Sequence, residues 1–276
     1  SENIELSGRF GLDTNCWAKN GSLREATMGD LKKREITCAS EFLAHISRDF
    51  ADERGLIIFR GQSHDWKLVP KIARTPYQEY QGSFKDEEEV LDFFKRRAFP
   101  HLDRVPASDW HWLFIAQHHG VPTRLLDWTS NALVALWFAV RTDPNTTQQG
   151  VQDNHTPTVW AFEPTTDDWL NKLEASPFDI QRTQVVRPVH VTERIIAQSG
   201  YFSIHKRYEK KGFISFDERL LLEGEIEKYC VQRENIHRIQ RELDRCGINE
   251  SVLFPDLAGV SNYVTWHWAR GHLTPK

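Results

Sequence analysis

The chain has 276 residues, 39% of them hydrophobic and 27% charged, an ordinary balance for a globular protein able to bury a core. Thirty-five Lys and Arg stand against 39 Asp and Glu, which leaves no global basic field for indiscriminate capture of nucleic acid. The longest apolar run, Ala132–Val140, is nine residues, less than half of the roughly 20 that a bilayer requires, so no membrane-spanning helix is expected. The first ten residues have neither a basic start nor an apolar stretch of signal-peptide length, and a cytoplasmic location follows as an expectation. Cys16, Cys38, Cys230 and Cys246 are scattered without a C-x-x-C pair and read as reduced thiols. Ten Trp and 16 Phe form a heavy aromatic load, suited to filling a core or to walls on which planar ligands stack.

Residues 1–36 are polar, carry four spread glycines and show no sustained period; they are set apart as an N-terminal extension, with residues 37–276 as the main domain. Phe42, Leu43, Ile46 and Phe50 fall on one helical face, with Gly55 as a stop, and Leu56–Phe59 reads as a buried strand ending at Arg60–Gly61. The acidic start at 86–89 favours a second helix, with Val90, Leu91 and Phe94 facing inward. A third begins after Ser108 as cap, carries Trp110, Leu113 and Phe114, and stops before Gly120. Ala132–Ala139 is apolar all round and must be buried, so the N–H groups of its first turn need a cap or an anion. Residues 143–157 read as a polar loop or lid. Short strands are expected over 158–162, 185–191, 201–204 and 213–216, then a helix over 234–245 stopped by Gly247, and a last helix with Val260, Tyr263, Val264 and Trp268. Helices and strands without strict alternation indicate α+β.

Three clusters depart from the core-and-surface pattern. In the first, Phe59-Arg60-Gly61-Gln62-Ser63-His64, an arginine directly follows apolar strand residues. It either meets an anion, with Gly61 admitting backbone or ligand, or pairs internally, or the strand has reached the surface. The second, Gln117 to Ser130, packs His118, His119, Thr123, Arg124, Asp127, Trp128, Thr129 and Ser130 together. Arg124 and the Thr129/Ser130 helix start suit a phosphate, whereas Asp127 could orient Arg124 or cap the next helix. Adjacent histidines point apart on a helix or strand, so a metal site built from His118, His119, His64 and Asp127 requires a turn there. In the third, Glu193 to Phe202, Arg194 and Gln198 share a face if the piece is helical, which is equally the pattern of a surface pair.

Together these stretches resemble the FRG domain family, named for Phe59-Arg60-Gly61. The likeness takes in Arg60-Gly61-Gln62, Trp66-x-Leu68-x-Pro70, the run Gln117 to Thr129, Ala135-x-x-Phe138-Ala139, Arg194-x-x-x-Gln198-x-Gly200-x-Phe202 and Phe254-Pro255-Asp256-Leu257-x-Gly259. In motif order the chain is more distantly similar to ADP-ribosyltransferases of the Arg-Ser-Glu type. That resemblance implies a split β-sandwich core with surrounding helices, NAD as substrate, and transfer of ADP-ribose to a protein or nucleic acid acceptor, or hydrolysis. Such activities occur among toxins and phage-defence effectors.

By the same resemblance Arg60 would hold a phosphate or the nicotinamide ribose, Thr129 and Ser130 would brace the site, and Gln198 would fall where a catalytic Glu is usual. Departure of nicotinamide builds positive charge on the ribose, which a carboxylate stabilises and a glutamine does not. Glu193 or Asp127 would then supply the charge, with His118 beside them. Gly61, Gln62, His119, Thr123, Arg124, Trp128 and Arg194 would complete the nucleotide site, and Trp128, Trp110 or Tyr201 would stack on a ring. The rival readings are a non-catalytic module for a nucleotide or phosphorylated ligand, and a metal-dependent hydrolase.

Overall fold

The computed structural model describes residues 33–51, 55–74, 86–102, 104–141, 156–188, 196–209, 212–218 and 222–269. Residues 143–155 of the expected loop and the first part of the third cluster, including Glu193 and Arg194, lie outside these residues.

Nine strands and seven α-helices occur among the described residues. In chain order they are β1 (Lys33–Ile36), α1 (Ala39–Asp49), β2 (Ile58–Gln62), α2 (Glu87–Ala98), α3 (Asp109–His118), β3 (Leu125–Thr129), α4 (Ala132–Val140), β4 (Thr158–Glu163), β5 (Gln184–Val186), β6 (Gly200–Ile204), β7 (Arg207–Tyr208), β8 (Gly212–Phe213), β9 (Glu225–Val231), α5 (Ile236–Arg245), α6 (Glu250–Leu253) and α7 (Leu257–Ala269). Seven strands form one sheet in the order β1-β9-β4-β2-β3-β6-β5, and β7 and β8 form a separate ribbon. Only β1 and β9 pair in parallel; the other pairings in the sheet are antiparallel, so the fold is α+β with a mixed sheet.

Helix ends follow the local chemistry. Asp86 caps α2 by accepting from the Glu89 N–H at 3.0 Å, and Ser108 accepts from His111 N–H at the start of α3. Gly120, just beyond α3, has φ +79°, a left-handed conformation that suits glycine. Asn131 caps α4 through Oδ1, which accepts from Leu133 N–H at 3.0 Å and Val134 N–H at 3.3 Å. The first turn of α4 is therefore satisfied by a side chain, without an anion.

Strand alternation sorts the core. Phe59, Val159 and Ala161 face α1, α4 and α5; Leu125, Phe202 and Ile204 face α3; and Ile58, Leu126, Trp128, Trp160 and Phe162 pack on the opposite face with Leu68 and Phe216. Gly61 lies under α4: a Cβ there would stand 1.8 Å from the Ala135 carbonyl oxygen. It is helix backbone, and not a ligand, that requires a glycine at this position.

Several expectations change. The strand at 56–59 begins at Ile58 and runs through Arg60 and Gly61 to Gln62, because each of these residues pairs with β4. Lys33–Ile36, read as part of the extension, joins the sheet against β9. β3 and β9 were not foreseen. Of the strand expected over 185–191, Val185 and Val186 belong to β5, Arg187 and Pro188 lie outside it and 189–191 fall outside the described residues, while the strand expected over 213–216 shrinks to the short β8 and Phe216 is a core residue. In α7, Tyr263 turns inward to donate to Asp244, while Val260, Val264 and Trp268 are exposed.

Candidate functional site

The site begins where two central strands part. β2 and β3 are in register at one pair, Phe59 with Thr129. Were the ladder to continue, Gly61 would face Asp127. Instead the Arg60 Nη1 donates to the Asp127 carbonyl oxygen at 2.7 Å, so a side chain occupies the place of a sheet rung. The Arg60 Nε makes a longer bond to Gln62 Oε1, at 3.4 Å, and Nη1 lies 3.8 Å from the Asp127 carboxylate. Burial draws the guanidinium down to about 10; Asp127 counters the shift and Arg74 adds to it. The group thus stays charged at neutral pH, incompletely compensated, beside open space.

That space is a cavity of about 590 Å³ bordered by all three sequence clusters. β2 contributes Arg60 and Gly61, the end of α3 contributes Gln117, His118 and His119, β3 contributes Asp127 and Thr129, α4 contributes Phe138, and the β6 end contributes Gln198 and Tyr201. The volume is within the range of roughly 300–1,000 Å³ common to small-molecule sites. His118 and His119 meet edge to face, centroids 4.9 Å apart. Gln198 donates to the Leu253 carbonyl oxygen at 3.0 Å, tying this wall to α6. The residue after it, Ser199, has φ +48°, a left-handed conformation uncommon for a non-glycine, and its carbonyl accepts from Ser130 N–H.

Asp127 is the carboxylate on this border among the described residues. Its two oxygens accept from Gln117 Nε2 at 3.1 and 3.0 Å, and Gln117 Oε1 in turn accepts from the Thr123 hydroxyl at 2.6 Å. With 62% of its side chain exposed, Asp127 is open to the cavity mouth.

Other residues named from sequence are committed elsewhere. Arg124 is buried: its backbone N–H and Nε each bond a Glu87 oxygen at 2.7 Å, Nη1 reaches two backbone carbonyls, and the guanidinium lies over Phe178. It holds α2 and the 177–178 segment, and borders no part of the cavity. Gln62 donates to the Trp66 carbonyl oxygen. Thr129 Oγ1 accepts from Asn131 N–H, a turn-forming bond, and Ser130 and Thr123 stand back from the border. Trp128 borders the cavity, but its indole is buried against Phe162 and Phe216 and donates to Ser203, so it offers no stacking face. Trp110 is a core residue as well. Of the three stacking candidates Tyr201 is at the border and half-buried. Gln117, Phe138 and Phe202 were given no role from sequence, although Gln117 ends a helix ten residues before the one exposed acid of β3.

Among the described residues no group of three or more His, Cys, Asp or Glu is arranged to hold a metal ion. No helix is long and apolar enough to cross a membrane among the residues described.

Fold and site together define an α+β domain with a ligand-sized cavity of mixed polar and apolar lining where its central strands diverge. The model of the FRG domain family matches residues 55–148, from just before β2 to beyond α4, and the likeness read from the motifs is borne out over this span. No curated protein and no solved structure matches the chain.

Proposed function

We propose that this domain cleaves the bond between nicotinamide and ribose in NAD, passing ADP-ribose to a macromolecular acceptor or to water. The observation that carries the reading is the meeting of Arg60, Asp127, Thr129 and Gln198, spread over 139 positions of sequence, on one cavity of dinucleotide scale. A buried guanidinium with a single strong hydrogen bond suits a phosphate or a ribose oxygen, and Phe138 and Tyr201 offer apolar wall to a ring. The parting of β2 from β3 is the feature most like the split core of ADP-ribosyltransferases. A toxin or defence role is the context in which such chemistry occurs.

The reaction needs negative charge near the ribose as nicotinamide leaves. Gln198 supplies none, and its amide is held by the Leu253 carbonyl. This favours one rival, a module that binds nucleotide without turnover. Incubation with NAD and chromatographic detection of nicotinamide separates the two. Release by the wild type, reduced on the order of 100-fold in Arg60→Ala, supports cleavage. Binding of NAD by calorimetry with no release from the wild type selects the binding module.

A further inference from the structure

We infer that Asp127 is the catalytic carboxylate of this site and that Gln117 and Thr123 are the residues that position it. The inference rests on the NAD-cleaving reading and assigns its missing charge to β3 rather than to the Gln198 motif.

Three observations converge. A carboxylate only accepts hydrogen bonds, so the group facing Asp127 must be the Gln117 amide nitrogen, whose bonds to the two oxygens are 3.1 and 3.0 Å. The opposite end agrees independently, since Thr123 Oγ1 takes the Leu125 N–H at 3.1 Å and gives its own proton to Gln117 Oε1 at 2.6 Å. The chain Thr123 to Gln117 to Asp127 therefore has one consistent direction, and its anchor is 2% exposed. Arg60 stands 3.8 Å from the carboxylate, near enough to steady its charge and too far to occupy its oxygens.

An acid fixed this way at a cavity mouth beside a guanidinium presents adjacent negative and positive charge. NAD carries the complementary pair, a pyridinium ribosyl end and an anionic pyrophosphate. In the reaction the C1′–N bond breaks and its electron pair leaves with nicotinamide, which departs neutral. The positive charge left on the ribose faces Asp127 until water adds to C1′ and releases one proton to solvent.

The test compares steady-state nicotinamide release and calorimetric binding of ADP-ribose, which lacks the pyridinium. Asp127→Asn is expected to lower kcat on the order of 100-fold while ADP-ribose affinity stays within about threefold, the signature of charge needed in the transition state. Gln117→Leu is expected to lower kcat about tenfold with little change in KM, the scale of one hydrogen bond to a charged group. Thr123→Ser keeps the hydroxyl and is expected to retain kcat, whereas Thr123→Val loses several-fold; equal rates from these two overturn the positioning chain. Release from Asp127→Asn at the wild-type rate overturns the assignment of Asp127 while leaving NAD cleavage standing. Absence of release from the wild type overturns both.

Discussion

At the scale of single residues, two arginines show how burial and partner decide a role. Arg60 and Arg124 each adjoin apolar strand residues and read alike in sequence, yet Arg124 is answered by Glu87, 37 positions earlier, and Arg60 is not answered in full. No local pattern carries that difference, because it depends on where α2 lands. Glu87→Gln removes the carboxylate charge that pairs with the buried Arg124 guanidinium and is expected to lower stability by about 3 kcal/mol, measured by urea unfolding. His205 makes a second case: fully buried, it contacts Ser203 Oγ at 3.0 Å, the atom that also accepts from Trp128. Burial lowers it from 6.5 to about 3, so the folded state keeps it neutral where the unfolded chain protonates it. Stability therefore falls as pH drops below 6.5 toward 3, by up to about 1.4 kcal/mol per pH unit from this group. Urea titrations from pH 7 to 4 should show a shallower fall in His205→Gln than in the wild type; identical slopes would refute the account.

At the scale of elements, the sequence was readable where a helix announces its own ends. Asp86, Ser108 and Asn131 all precede the first turns they cap, and α2, α3 and α4 lie close to where the apolar stripes put them. Strands were less legible. β3 reads Leu-Leu-Asp-Trp-Thr, and its acid, which in sequence could orient Arg124 or cap the next helix, interrupts the apolar run of a central strand and lies on the cavity border. β9 has alternating charge in its first half and burial in its second, and β1 is an edge strand whose place in the sheet comes from its parallel pairing with β9, far along the chain. Asn131→Ala should cost about 1 kcal/mol, seen as a lower thermal midpoint, because the N–H groups it satisfies are partly buried. Gly61→Ala should cost more, about 3 kcal/mol, since neither β2 nor α4 can withdraw from a contact made by backbone on both sides.

At the scale of the whole molecule, the convergence of distant motifs was the legible part and the division of labour among them was not. Sequence brought Arg60, the 117–130 run and Gln198 to one place, but gave Arg124, Trp128 and Thr123 contacts that the fold assigns to packing and support. The C-terminal segment backs the cavity wall, through the Leu253 carbonyl on Gln198 and through Phe254, which packs on Phe138 and Trp137 with centroids 6.3 and 6.0 Å away. Phe254→Ala is accordingly expected to lower stability by about 2 kcal/mol in urea unfolding. The guanidinium that substitutes for a sheet rung ties architecture to the proposed recognition. If that reading holds, a drift away from arginine at position 60 would forfeit ligand capture and loosen the seam between β2 and β3 in one step. Even a descendant with no ligand to hold would need some other stitch across that seam before it could let the charge go.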